Sequence, residues 1–120
     1  MGDPTKKPFR LRADQIRPIV SGYGGCYATD MITCGGSKVG FMYREAADNQ
    51  FDSGWRFTSG YESDEYMDDT HNLAFYKVNT IANYDPEIVP YLEAPVGSAF
   101  ERQNGTGPFV EVHGFEPLAD

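Results

Sequence analysis

The chain has 120 residues, of which 18 are Asp or Glu and 10 are Lys or Arg, so its formal net charge is −8 at pH 7. This length is typical of one domain, and 8 Phe, 8 Tyr and 1 Trp exclude the aromatic-poor composition of a disordered chain. The acidity argues against nucleic acid as a partner, because phosphates require a basic surface. Composition therefore predicts a folded acidic domain that binds a protein or a small molecule.

The sequence pattern predicts no targeting signal. No apolar run approaches the roughly 20 residues of a membrane span or the about 7–15 of a signal-peptide core, and Lys6 stands where a myristoylation signal has Ser or Thr. We therefore expect a cytoplasmic protein that does not contact membranes. In that compartment Cys26 and Cys34 are expected to be free, buried thiols, although they could pair if the fold brought them together.

The first half of the chain predicts a basic arm followed by strands. Residues 1–12 are expected to form a loosely held arm, and residues 13–120 a single domain. A helical turn is predicted from residue 13, ended by Pro18. Two strands, at residues 26–33 and 38–45, are separated by a glycine turn, which is typical of a β-hairpin.

Period-two patterns assign faces to two of these strands. In the strand 38–45, Val39, Phe41 and Tyr43 fall on one face, and the opposite face carries Lys38, Met42 and Arg44. A third strand at residues 55–58 places Trp55 and Phe57 on one face and the remaining side chains, Arg56 and Thr58, on the other.

The second half predicts short elements only. We expect a helical turn at residues 64–69, a strand at 73–78, a short irregular helix at 86–93 that begins after Asp85, and strands at 97–102 and 109–113. Strands of this kind with few helices predict an α+β fold with a small, mostly antiparallel sheet.

Negative charge is concentrated in residues 45–69, which contain eight acids and one base. This segment is either a solvated loop or a docking surface for a basic partner, since clustered charge steers association. Tyrosines among the acids favour the second interpretation, because such rings are typical of binding hot spots. The residues assigned to partner binding on this basis are Asp48, Asp52, Arg56, Tyr61, Glu62, Asp64, Glu65, Tyr66, Asp68 and Asp69.

Catalytic and metal-binding patterns are weak. The two histidines, His71 and His113, are far apart, and with two cysteines they do not give a zinc spacing. Residues 48–54 do not follow the calcium-loop spacing. We therefore expect no catalytic residues, no metal and no cofactor; an enzyme would have to pair His71 with an Asp or Glu.

Three segments resemble a family of bacterial immunity proteins, immunity protein 33. They are GGCYATDMIT at residues 24–33, a segment at 38–69 that contains MYRE and DSGWRF, and one at 76–102 that contains NTIANYDP. The flanks, residues 1–12 and 103–120, lie outside the resemblance. Membership would imply an α+β domain that neutralises a polymorphic toxin inside the producing cell, with no catalytic residues.

Two functional hypotheses follow. In the first, the protein is an immunity protein whose residues 45–69 dock on a basic toxin surface, such as the cleft of a nuclease. In the alternative, it is a stand-alone small-ligand-binding or regulatory domain, which predicts a pocket lined by rings such as Tyr43, Trp55 and Tyr76. The oligomeric state is left open.

Overall fold

A computed structural model describes residues 7–113 of the chain. Residues 1–6, half of the predicted arm, and residues 114–120 lie outside the described part. The strands are β1 (Gly25–Thr29), β2 (Phe41–Arg44), β3 (Asp52–Thr58), β4 (Leu73–Lys77), β5 (Ala99–Arg102) and β6 (Phe109–Glu111). The α-helices are α1 (Asp30–Thr33), α2 (Asp64–Asp68) and α3 (Val78–Tyr84), and the 3₁₀ helices are Ala13–Gln15, Thr70–Asn72, Pro86–Tyr91 and Gln103–Gly105.

The strands form one sheet in the order β4-β1-β3-β2-β5-β6. β1 and β3 are parallel, and the other neighbouring strands pair antiparallel. Residues 7–113 contain one sheet, one core and a few short helices, which confirms the predicted α+β class and the mostly antiparallel sheet.

The predicted hairpin between β1 and β2 is wrong. β3 lies between these strands, and the residues after β1 form the helix α1, which buries Ile32 and Thr33. The glycines that suggested a hairpin turn instead end this helix: Gly36 has φ +79°, and its amide donates to the Ile32 carbonyl at 3.1 Å. A glycine in this conformation serves a helix C-terminus as readily as a turn, so the local signal was ambiguous.

One face of the sheet packs against α1, α3 and the 3₁₀ helix Pro86–Tyr91 to form the core. The buried apolar residues of this core are Cys26, Ala28, Ile32, Val39, Met42, Trp55, Phe57, Val78, Ile81, Ala82, Ile88, Leu92, Phe100 and Phe109. The prediction that Trp55 and Phe57 share a face is confirmed, since both are in the core and their rings stack with centroids 6.0 Å apart.

The predicted face assignment is confirmed within β2 and wrong for Val39 alone. Met42 is buried in the core, and Phe41 and Tyr43 lie on the opposite face, where they pair with Thr58 and Arg56 of β3. The break occurs at Gly40, which is packed so closely that a Cβ there would lie 1.9 Å from the Ser59 carbonyl oxygen. Val39 is buried ahead of this break, so the alternation does not continue from Val39 into β2.

The helix α3 was not predicted. Its buried residues Val78, Ile81 and Ala82 have the helical spacing i, i+3, i+4, which was the available signal. The helix also contains Thr and Asn, which are weak helix formers. The two asparagines bind the backbone of the segment that precedes β1. Asn79 accepts from the Ile19 amide at 2.7 Å, and Asn83 accepts from the Arg17 amide at 2.9 Å.

Residues 7–12 of the predicted arm contact α1 and α3. Lys7 pairs with Asp30 at 2.8 Å, the Arg10 amide donates to the Thr33 carbonyl at 2.8 Å, and the Leu11 amide donates to the Tyr84 hydroxyl at 3.1 Å.

Both cysteines are free, as predicted. Cys26 is buried, and burial raises the pKa of its thiol, so this thiol is held in its neutral form. Cys34 is only half-buried, so the expectation of burial is confirmed for Cys26 alone.

Candidate functional site

The sheet face opposite the core helices, here called the outer face, carries a row of aromatic side chains. Tyr27 pairs with Arg56 in β3 and with Phe75 in β4, and Tyr43 pairs with Arg56 from the other side. Tyr27 and Phe75 meet edge to face with centroids 5.1 Å apart. Phe75 is 43% exposed, and the tyrosines are half-buried, so this row is accessible to a partner.

Helix α2 lies beside the outer face. Its Met67 lines a recess together with Tyr27 and Tyr43 and also a second hollow that contains Phe41. The helix begins after Ser63, whose hydroxyl accepts from the amide of the third helical residue, Tyr66, at 3.1 Å, which is a typical N-cap. The helix that contributes Met67 to the outer face also carries three exposed acids, Asp64, Glu65 and Asp68.

A buried ion cluster centred on Arg56 supports the outer face. The guanidinium donates from Nη1 and Nη2 to the Asp52 carboxylate at 2.9 and 2.8 Å, and from Nε to Glu45 at 2.6 Å. It also lies 4.8 Å from the ring centroid of Tyr27. With Asp48 at 3.9 Å, three carboxylates surround one guanidinium, so the cluster keeps an excess of negative charge.

These bonds change the acidity of Asp52. Burial alone would raise the pKa of this carboxyl, but the hydrogen bonds from Arg56 and from the amides of Asp48 and Gly54 outweigh burial and lower it from 3.8 to about 2. A carboxyl with a lower pKa in the folded state stabilises the fold above its unfolded-state pKa. This contribution is lost as the pH falls from about 4 to about 2.

The fold should therefore lose more stability in acid than a variant without this carboxylate. Between pH 5 and pH 2, we expect the free energy of unfolding to fall by about 2 kcal/mol more in the wild type than in Asp52→Asn. Urea denaturation followed by circular dichroism at each pH measures this difference. The double variant Asp52→Asn/Arg56→Met should show the same reduced pH dependence, and parallel profiles for wild type and variants would contradict the assignment.

The structure places the predicted partner-binding residues in three environments. Asp52 and Arg56 are buried in the ion cluster. Glu62 and Tyr66 are half-buried. The exposed members are Asp48, Tyr61, Asp64, Glu65, Asp68 and Asp69.

The half-buried Glu62 organises the segment that precedes α2. Its carboxylate accepts from the Thr29 hydroxyl at 2.5 Å and from the amides of Ser59 and Gly60 at 2.8 and 3.0 Å. Burial alone would raise its pKa, but these bonds lower it overall. Glu62 therefore fixes the loop that carries Tyr61 and leads into α2.

The ring-lined pocket expected for a small ligand is only partly correct. Tyr43 lines the recess on the outer face, whereas Trp55 is in the core and Tyr76 packs against the core, because their positions in β3 and β4 alternate to the opposite face. Sequence reasoning missed Tyr27 and Met67, which do line the recess. Tyr27 lies within the predicted first strand, but its neighbour across the sheet could not be known without the strand order.

The histidines lie in solvent. The His71 side chain is 93% exposed, and its Nδ1 is 3.0 Å from the Asp69 carboxylate, which is itself exposed; His113 is also exposed. Within residues 7–113, no group of three or more His, Cys, Asp or Glu side chains could hold a metal ion. The same residues include no helix long and apolar enough to cross a membrane.

Comparison with known families identifies the class of protein. The family model described as the Immunity protein Imm33 domain matches residues 26–113. The chain therefore belongs to the Imm33 family, which confirms the resemblance and extends it over residues 103–113, which had been placed outside it. Neither the curated proteins nor the solved structures compared with the chain gave a match. Family membership suggests a toxin-immunity role and an inhibitor that is not an enzyme.

Proposed function

We propose that the protein binds and neutralises a cognate protein toxin in the cytoplasm, and that α2 and the outer face form the contact. The observation that carries this proposal is that α2, whose Met67 lines a recess with the outer-face rings of Tyr27 and Tyr43, also carries three exposed acids. Rings with a charged border combine apolar contact with selection of an oppositely charged partner.

The sign of the charge indicates the chemistry of the toxin surface. Arg56, the one base of residues 45–69, is 6% exposed and engaged by carboxylates. The exposed charge of this segment is therefore entirely negative, and it fits a basic surface. A nuclease cleft, which binds phosphates, is a surface of this type, and an acidic protein seated there would exclude nucleic acid.

The predicted binding residues take different roles in this proposal. Asp52 and Arg56 hold the sheet geometry from inside, and Glu62 fixes the loop before α2. The proposed contacts are made by exposed or half-buried side chains, namely Asp48, Tyr61, Asp64, Glu65, Tyr66, Asp68 and Asp69.

A small-molecule function at the recess on the outer face has less support. The recess on the outer face has a volume of about 250 Å³, which is below the roughly 300–1,000 Å³ typical of ligand pockets. Its size matches a single side chain of a partner better than a drug-sized ligand.

The proposal is tested with the toxin candidate encoded beside the gene. Co-expression of the protein should restore growth of cells that make the toxin, and the purified protein should form a complex with a catalytically inactive toxin in isothermal titration calorimetry. A toxin from an unrelated locus is the specificity control. Failure to protect and failure to form a complex with the neighbouring toxin would refute the proposal.

A further inference from the structure

The recess on the outer face combines carboxylates with apolar walls. Its lining includes Tyr27, Tyr43, Glu45, Asp48 and Arg56 from the strands and the β2–β3 connection, and Met67 from α2. It opens on the surface proposed to meet the toxin, so a side chain that enters it would lie at the centre of the contact.

The charge of the recess is negative despite the arginine within it. Arg56 directs its donors to Asp52 and Glu45. The Asp48 carboxylate stays 3.9 Å from Nη2 of this arginine, and its side chain is 63% exposed. The surplus negative charge is therefore at the rim, where a second cation can reach it.

The apolar and aromatic walls of the recess can contact the methylene groups of a long cationic side chain. The rings of Tyr27 and Tyr43 and the thioether of Met67 line the cavity, and aromatic faces attract ammonium and guanidinium groups. Arg56 makes both kinds of contact within the protein, since its guanidinium lies 4.8 Å from the ring centroid of Tyr27 and pairs with carboxylates. Methylene groups of lysine or arginine can pack on such apolar surfaces while the charged head remains near water.

We propose that this recess binds one lysine or arginine side chain of the toxin, with the cationic group at Asp48 and Glu45 and the aliphatic stem against Tyr43 and Met67. The identity of the occupant as part of a toxin rests on the proposed function. The preference for a cation over neutral or anionic groups is a property of the recess itself, and it can be measured without the toxin.

The test is a titration of the isotope-labelled protein followed by NMR at constant ionic strength. The probes are n-butylguanidinium and n-butylammonium, which distinguish an arginine from a lysine occupant, with neutral n-butylurea and anionic pentanoate as controls. At least one cation should give saturable shifts of the Tyr27 and Tyr43 ring signals, whereas the control probes should not.

Two variants with the same loss of charge locate the binding. Asp48→Asn should weaken cation binding about threefold to fivefold, whereas Asp14→Asn, at an exposed acid that does not line the recess, should leave it unchanged. Equal binding of n-butylurea, shifts that do not saturate, or equal effects of the two variants would overturn the inference.

The outcome separates this inference from the proposed function. If the toxin binds but the cationic probes do not, the recess assignment is wrong and the immunity role stands. If the probes bind as expected but the neighbouring toxin neither binds nor is neutralised, the recess remains a cation site and the proposed function fails.

Discussion

Replacing Arg56 with Met is expected to lower the free energy of unfolding by about 3–5 kcal/mol, because it leaves a buried carboxylate without its partner. The Asp52 side chain is fully buried and accepts two hydrogen bonds from this guanidinium. Urea denaturation at pH 7 measures the effect. Arg12→Met is the matched control, since Arg12 pairs with Asp14 on the surface with about three-quarters of both side chains exposed, and it should change stability by less than about 1 kcal/mol.

A double variant identifies the cause of this loss. Asp52→Leu/Arg56→Met removes both charges, and it should be more stable than Arg56→Met alone, because apolar residues can replace a buried ion pair at little cost. Equal stability of Arg56→Met and wild type, or a double variant less stable than the single one, would show that the ion cluster does not hold the sheet in the way described.

Neutralising the acids of α2 is expected to weaken toxin binding by about 10-fold to 100-fold in the variant Asp64→Asn/Glu65→Gln/Asp68→Asn. The loss should appear largely in the association rate and shrink at high salt, since exposed charges act through steering. Asp69 is left unchanged because its carboxylate caps the following 3₁₀ helix through the His71 amide at 2.9 Å. Surface plasmon resonance at several salt concentrations measures both rates.

The control for this experiment removes the same charge elsewhere. Asp14→Asn/Glu93→Gln/Glu111→Gln changes three exposed acids outside residues 45–69, and it should alter the affinity by no more than about threefold through the long-range field. If both triple variants weaken binding equally, net charge and not the α2 surface governs association, and the proposed contact is incorrect.

Local patterns predicted the class of fold but not its connections. The shared face of Trp55 and Phe57 could be predicted because alternation within one strand needs no knowledge of its neighbours. The strand order could not be predicted, because a parallel β1–β3 pair depends on contacts between residues distant in sequence. The hairpin was predicted wrongly because the glycines after α1 suit either a turn or the end of a helix.

The candidate site was only partly predicted, because the sequence shows where charge is clustered but not which residues are buried. Charge clustering is visible in the sequence, so the exposed acids of α2 could be identified. Burial is not visible, and Asp52 and Arg56 could not be separated from the exposed residues until β3 was seen to carry them between β1 and β2. Tyr27 joins the site only through its register opposite Arg56, which no local pattern specifies.

A map of chemical-shift changes in the labelled protein on binding the inactive toxin tests whether α2 and the outer face form the contact. We expect the largest changes at residues 61–69 and at the outer-face side chains of Tyr27, Tyr43 and Phe75. The core-side helix α3 and the 3₁₀ helix Pro86–Tyr91 should change little. Changes concentrated on those helices, with residues 61–69 unaffected, would show that α2 and the outer face do not bind the toxin.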